Sequence, residues 1–254
     1  MRELLSTNFP KRQWTLRMLF VVVAFAALIV AIYVAGRRLD ERAREVEHLY
    51  SMRKVIIGFL NQSGPVRRRS ISRAWTTDIN GEPACSWRYE MCQWTVHHCP
   101  RLQCDIPWND PSHAEVRRQV YSDYCWTESA RDNNHTNIFA ITGPGTAFDP
   151  TREQSIADLD ADTVLLVEVV NSKTHWMQPG DFDIRTMPRN IGRGINGETC
   201  ISSESRRGFL VGFADGVVWR VSYDISFEQL SKFFTVDSAK TYDRDVVLSP
   251  FRTG

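Results

Sequence analysis

The first pattern along the chain is an unbroken apolar run. Residues 18–35 read MLFVVVAFAALIVAIYVA, with no charge among them. A helix needs about 20 mostly apolar residues to cross the hydrocarbon core of a bilayer. Residues 14–16 extend the run, and the Arg17 stem can snorkel its charge to the headgroups. Trp14 and Tyr33 stand near the two ends, where amphipathic rings favour the interface. We therefore expect a transmembrane helix over residues 14–35, behind a cytoplasmic tail of residues 1–13. A cleaved signal peptide would carry a shorter stretch, about 7–15 apolar residues, before a small-x-small site. Tyr33-Val34-Ala35 puts a large ring at that site, although Val34-Ala35-Gly36 is passable.

Polar positions resume at Gly36, but the helical period continues. Leu39, Ala43, Val46, Tyr50, Ile57 and Leu60 keep a 4-3 spacing broken only by Arg53, and no proline occurs between Gly36 and Pro65. This predicts an amphipathic juxtamembrane helix over residues 36–62 with that stripe as its seam. Joined to the membrane span, it makes one helix from Trp14 to Leu60, about 70 Å long at 1.5 Å per residue. Residues 63–84 read as a connector, with Gly64-Pro65 followed by Arg67, Arg68, Arg69 and Arg73. A basic run beside a membrane can touch anionic lipid, but here it reads as a solvated loop.

Short strands and turns follow over residues 85–240. Residues 163–170, TVLLVEVV, have the β-branched content of a buried strand. Asp215-Gly216 is a residue pair preferred in two-residue hairpin turns. Such a turn would pair Ala214 with Val217 and Gly212 with Trp219, placing Leu210, Gly212, Ala214, Val217, Trp219 and Val221 on one face. It would also leave room for the Trp219 ring over Gly212. A helix is expected over residues 227–234, with Ser226 as N-cap and Gln229 as its capping-box partner. Residues 241–254 read as a C-terminal tail. The expected fold class is α+β: a long N-terminal helix packed against a mostly antiparallel sheet.

Composition narrows the functional classes. The 254 residues are 43% hydrophobic and 24% charged, ordinary values for a globular chain. Lys plus Arg number 31 against 30 Asp plus Glu, a net charge of +1, so no general basic field attracts nucleic acid. A mean hydropathy of −0.32 excludes a polytopic membrane protein. Orientation is a contest. The flank after the span carries Arg37, Arg38, Arg42, Arg44, Arg53 and Lys54, against Arg2, Lys11, Arg12 and Arg17 before it. The positive-inside count slightly favours the reverse orientation. A short tail leading a large C-terminal body argues for the tail inside and the body exported, and that is the orientation we expect.

Six cysteines, Cys85, Cys92, Cys99, Cys104, Cys125 and Cys200, sit in the body. In an exported domain disulfides are the default, and six cysteines allow 15 full pairings. Buried thiols are a second reading. A third is a metal site from Cys92, His97, His98, Cys99 and Cys104, although its spacing is looser than the close pairs usual for zinc. Asp158, Asp160 and Asp162 resemble the start of a calcium loop. Thr163 and Val169 occupy the positions that need Gly and a bidentate acid, so a turn is the better account. Gly143-Pro144-Gly145 lacks the Lys and Ser/Thr of a phosphate loop and reads as a tight turn. His135 beside Asp132 reads as surface loop rather than an acid/base pair. No cofactor, catalytic residue or small-molecule substrate emerges.

A set of short stretches resembles the bacterial domain-of-unknown-function family 1559. They are Ser86-Trp87-Arg88, Pro107-Trp108-Asn109-Asp110-Pro111, Tyr124-Cys125 and Thr136-Asn137, then ITGPGTAF from Ile141, Glu168 within its strand, WMQPGD from Trp176, and GFLVGFADG ending at Asp215-Gly216. The resemblance implies a pseudopilin-like protein, in which a membrane helix continues into a long helix carrying a small sheet. The family's motif is His, nine residues, Asp-Gly; here Ser205 stands at the His position. Gln13 and Met18 stand where a prepilin signal has Gly and Glu, so the helix is expected to remain an anchor with its basic tail attached. The resulting expectation is a non-catalytic, single-pass structural or assembly protein of the bacterial inner membrane. Its partners would be the lipid bilayer and pilin-like or secretion-system components. The alternative is a tethered ligand-binding module with Trp108, Asp110, Trp176 and Asp181 as its surface, since indoles beside carboxylates suit carbohydrates or a cation.

Overall fold

The structure, a computed structural model, describes residues 16–62, 74–95, 104–152, 155, 158–192 and 197–253. The chain divides into two compact units, Met1–Arg44 and Glu45–Gly254. Helix α1, Leu16–Gln62, begins in the first and ends in the second. In the first unit every residue from 18 to 44 is exposed, including Phe20, Phe25, Leu28 and Ile32. The helix is long and apolar enough there to cross a membrane. Near the end of the apolar run the Arg37 guanidinium lies 5.3 Å from the centroid of the Tyr33 ring.

The second unit is α+β. Its main sheet has five strands in the order β5-β3-β4-β8-β9. These are β3 (Ile138–Thr142), β4 (Val164–Glu168), β5 (Phe182–Asp183), β8 (Phe209–Phe213) and β9 (Val218–Val221). Neighbours are antiparallel except β5, which runs parallel to β3. Two small sheets flank it: the antiparallel pair β1 (Trp75–Thr77) and β2 (Pro83–Ser86), and the parallel pair β6 (Ile191–Gly192) and β7 (Ile201–Ser202). Short helices α2 (Trp87–Thr95), α3 (Ala114–Arg117) and α4 (Glu128–Asn133) precede the sheet in the chain. Helices α5 (Phe227–Ser231), α6 (Val236–Ala239) and α7 (Arg244–Val247) follow it.

The sheet is buried on both faces. One core gathers Met52, Val55, Ile56 and Phe59 of α1 with Trp87, Tyr124, Trp126, Trp176, Leu165, Leu166, Leu210 and Ala214. The other gathers Phe139, Val164, Val167, Phe209, Val211, Phe213, Trp219 and Val221 with Leu230, Phe233, Phe234 and Leu248. Strand β4 serves both, which explains its nearly continuous apolar sequence. Its register against β8 shifts between Val164 and Leu166, and at that irregularity Leu165 and Leu166 join the same core.

Several expectations from the sequence need correction. The seam of α1 lies on a different face from the 4-3 stripe. Val46, Tyr50 and Ile57 are exposed, whereas Met52, Val55, Ile56 and Phe59 are buried and Glu45, His48 and Leu49 half-buried. Both faces have helical period. The body takes the one that is more densely apolar and that has Ser51 and Gly58, both buried, between its larger side chains.

The hairpin is also shifted by one residue. Val211 pairs with Trp219 and Gly212 with Val218, so the loop is Ala214, Asp215 and Gly216. The Gly216 N–H donates to the Phe213 carbonyl at 3.1 Å. Gly216 alone takes positive φ, +86°, and Asp215 does not. This fits a three-residue loop closed by glycine in the left-handed region. A one-residue slip exchanges the faces of every side chain beyond it. Trp219 therefore lies with Phe213 in the second core, their ring centroids 5.8 Å apart, and Gly212 faces α1.

The capping box and the tight turn hold, whereas the tail and the connector do not. Ser226 and Gln229 form both bonds of a capping box on α5, though that helix ends at Ser231. Gly143 and Gly145 take positive φ in a tight turn. Residues 241–253, expected as a tail, instead pack on the domain. Leu248 is fully buried, the Ser222 N–H donates to the Phe251 carbonyl at 2.8 Å, and the Thr253 N–H donates to the Arg220 carbonyl at 2.9 Å. The expected connector likewise contributes β1 and the start of β2.

A Cβ on Gly212 would stand 2.3 Å from Cδ1 of Ile56 and 3.3 Å from Sδ of Met52. Gly212→Val should therefore destabilise the domain by about 1–3 kcal/mol, the usual cost of overpacking. Adding Ile56→Ala should recover part of the loss. Thermal denaturation of the single and double variants checks this.

Candidate functional site

Two charged centres are sealed inside the second unit. The first is Arg88, on the first turn of α2 and fully buried. Its Nε donates to the Ile138 carbonyl at 3.1 Å and its Nη1 to Ser86 Oγ at 2.5 Å. Its Nη2 donates to the Gly180 carbonyl and to Asp181 Oδ1, both at 2.9 Å. Asp181 Oδ1 also accepts from the Ala140 N–H at 2.7 Å and from Trp87 Nε1 at 3.1 Å. The guanidinium lies 5.0 Å from the Trp87 ring and 5.5 Å from that of Phe139. Burial pushes the Asp181 carboxyl up to about 6, against the opposing pull of Arg88. Its Oδ2 is buried with no hydrogen-bond partner among the described residues.

The second centre is Glu168, which ends β4 and is almost wholly buried. It accepts from Ser203 Oγ at 2.7 Å and from the Leu210 N–H at 2.9 Å, and His48 Nδ1 of α1 lies 4.0 Å away. The His48 ring stacks on Trp126 at 4.9 Å. Burial pushes Glu168 up to about 7, while Ser203 and the Arg220 charge pull it down. A carboxylate on α1 extends the network: Glu45 accepts from the Ser205 hydroxyl and, at 3.2 Å, from Arg207 Nη1. Arg220 Nη2 donates to the Glu45 carbonyl at 3.4 Å. The Glu45 carboxylate, with His48 facing Glu168, thus ties α1 to the loop before β8 and to the end of β4.

The residues expected as a ligand surface are not gathered on one. Trp176 is fully buried, its Nε1 donates to the Gln119 carbonyl at 3.1 Å, and its ring stacks on Tyr124. Asp181 is the buried partner of Arg88. Asp110 caps a 3-10 turn at residues 111–113 by accepting from the N–H and hydroxyl of Ser112, contacts that hold its carboxyl below the usual range. Trp108 is half-buried and stacks on His175 at 5.1 Å. His175 Nε2 faces the Arg117 carbonyl at 3.1 Å, and its Nδ1 accepts from the Met177 N–H. Burial lowers its pKa to about 4, so the ring is neutral and wedged in place.

Asp215 of the motif turn pairs with Arg244, whose Nη2 and Nη1 lie 2.8 Å and 3.3 Å from its oxygens. Arg244 Nε also lies 3.3 Å from Asp162 Oδ1, and its guanidinium covers Phe213 at 4.5 Å. Ser205, at the position of the motif histidine, binds Glu45 instead. Among the described residues no hydrogen bond joins His135 to Asp132. No three metal-ligating side chains come together among them either; His97, His98 and Cys99 lie outside the described residues. Of the other cysteines, Cys85, Cys92, Cys125 and Cys200 are buried and Cys104 is half-buried. Burial pushes the Cys125 thiol up to about 12.

His48, Glu45 and Arg244 were not singled out by sequence reasoning, because each lies far in the chain from its partner. Glu168 carried a signal: it is the lone carboxylate in TVLLVEVV. No family model matches the chain, and neither a curated protein nor a solved structure matches it.

Removing one member of a buried pair leaves an uncompensated charge, which costs about 3–5 kcal/mol. Asp181→Asn should therefore strongly lower the melting temperature, and the double variant Arg88→Met/Asp181→Leu should lower it less. Glu168 sets a pH dependence. Its folded value lies above its ordinary 4.5, so the folded state holds an extra proton between about 4.5 and 7. Its stabilising contribution is full below that window and is lost as the pH rises through 7. The melting temperature should fall between pH 5 and 8, and Glu168→Gln should flatten that slope.

Proposed function

We propose that this chain is a single-pass, membrane-anchored, pilin-like structural or assembly protein of the bacterial envelope. Its N-terminus would be cytoplasmic and its α+β domain exported from the inner membrane. The observation that carries this reading is helix α1. Its first part is apolar and wholly exposed, as a lipid-facing span must be. Its last part buries a stripe against a sheet that is antiparallel in all but one pairing. The resemblance to the 1559 family supports the same arrangement. Arg88, Asp181 and Glu168, buried in the body, bond to neighbours within the fold, as in a structural domain. The bilayer and pilin-like or secretion-system components are the partners this reading implies.

Carbonate washing of membranes should leave the full-length protein in the pellet, and a chain beginning at Gly36 should be soluble. Protease added to spheroplasts should digest the body while leaving cytoplasmic marker proteins intact. Release by carbonate would overturn the anchor, and protection from protease would overturn the orientation.

A further inference from the structure

Residues 104–108 run beside strand β2. The Trp108 N–H donates to the Ala84 carbonyl at 2.9 Å, and Cys85 Sγ lies 3.8 Å from the Ile106 carbonyl. One side chain bridges the two segments. Thr76 Oγ1 accepts from the Cys85 N–H at 3.0 Å and donates to the Cys104 carbonyl at 2.7 Å. That bridge sets the two cysteine backbones side by side, and the neighbouring Cys104, together with burial, pushes the Cys85 thiol up. Disulfides join residues whose Cα atoms lie about 4.4–6.8 Å apart, and a single hydroxyl bonded to the Cys85 N–H and the Cys104 carbonyl keeps the two residues close. Cys85 is fully buried and Cys104 half-buried, so Cys104 is the more accessible residue of the two.

We infer that Cys85 and Cys104 form a redox pair that closes to a disulfide, stapling residues 104–108 onto strand β2. Its oxidation in cells rests on the exported orientation proposed above, because cytosolic thiols are kept reduced. The reaction is thiol–disulfide exchange with the disulfide of an exported oxidoreductase. The Cys104 thiolate attacks that disulfide to give a mixed disulfide and one oxidoreductase thiolate. The Cys85 sulfur, after losing its proton, then attacks Cys104 Sγ and expels the second oxidoreductase thiolate. The cysteines lose two electrons and two protons, and the oxidoreductase is reduced to its dithiol. Closure needs little movement, because Thr76 already holds both backbones.

The test uses full-length protein in detergent, equilibrated with oxidised and reduced glutathione, alkylated and digested with trypsin without reduction. Under oxidising conditions a linked pair of peptides, residues 74–88 with residues 102–117, should appear and should vanish on reduction. Cys104→Ser should abolish it. The variant should melt below the oxidised parent by on the order of 5–10 °C and together with the reduced parent. The pairing is overturned if Cys85 and Cys104 stay alkylatable in excess oxidised glutathione, or if either links to Cys92, Cys99, Cys125 or Cys200. Acid-quenched cells separate this from the orientation. A pair that closes in the test tube yet is fully alkylated from cells would sink the exported reading and uphold the site.

Discussion

The second unit depends on how closely helix α1 approaches strand β8. Cδ1 of Ile56 lies so close over Gly212 that any Cβ there would force the Ile56 side chain to move. A helix resting on ordinary side chains would stand further off. The missing Cβ lets Met52 and Ile56 reach the strand backbone and join Leu165, Leu166 and Leu210 in one core. Interiors packed at this density transmit any change of volume to their neighbours. The seam of the helix, the register of β8 and the loop at Gly216 are therefore mutually dependent.

Apolar contact alone would let a helix rotate or slide on the sheet, since one apolar stripe resembles the next. The polar network supplies direction. Glu45 is tied to Ser205 and Arg207, and His48 faces Glu168. These contacts exist in only one rotation of the helix, the one that turns Tyr50 and Val46 outward. Glu168 is held at a cost in desolvation, offset by hydrogen bonds from Ser203 and Leu210. On the other core, Arg244 does comparable work by anchoring the hairpin loop through Asp215.

Much of this architecture was legible in the residues. The apolar run, the long helix, the buried strand around Glu168 and the Ser226 capping box are local signals, and each lies where its pattern puts it. The failures share a cause. The 4-3 stripe from Leu39 to Leu60 and the face that is buried both have helical period, and only the partner surface decides between them. Asp215-Gly216 serves two-residue and three-residue loops alike, so the choice depends on whether Gly212 or Trp219 meets the helix. The ligand surface was read from residue types, but Trp176 and Asp181 are interior, where an indole N–H and a carboxylate satisfy backbone and guanidinium groups. Pairs such as Glu45 with Ser205, or Asp215 with Arg244, leave no trace in local sequence.

The distance along the chain between Ile56 and Gly212 bears on how the domain comes into being. About 150 residues separate the helix from the strand that receives it, so the closing contact is among the least local in the fold. Such topologies form slowly and leave apolar surface uncovered in the interval. During synthesis the buried face of α1 emerges early, and strand β8 follows only after most of the body. Residues 249–253, which cover the outer edge of β9, come later still. Until then the nascent chain carries an uncovered helix stripe and, briefly, an uncapped strand edge, the two features that other chains most readily bind.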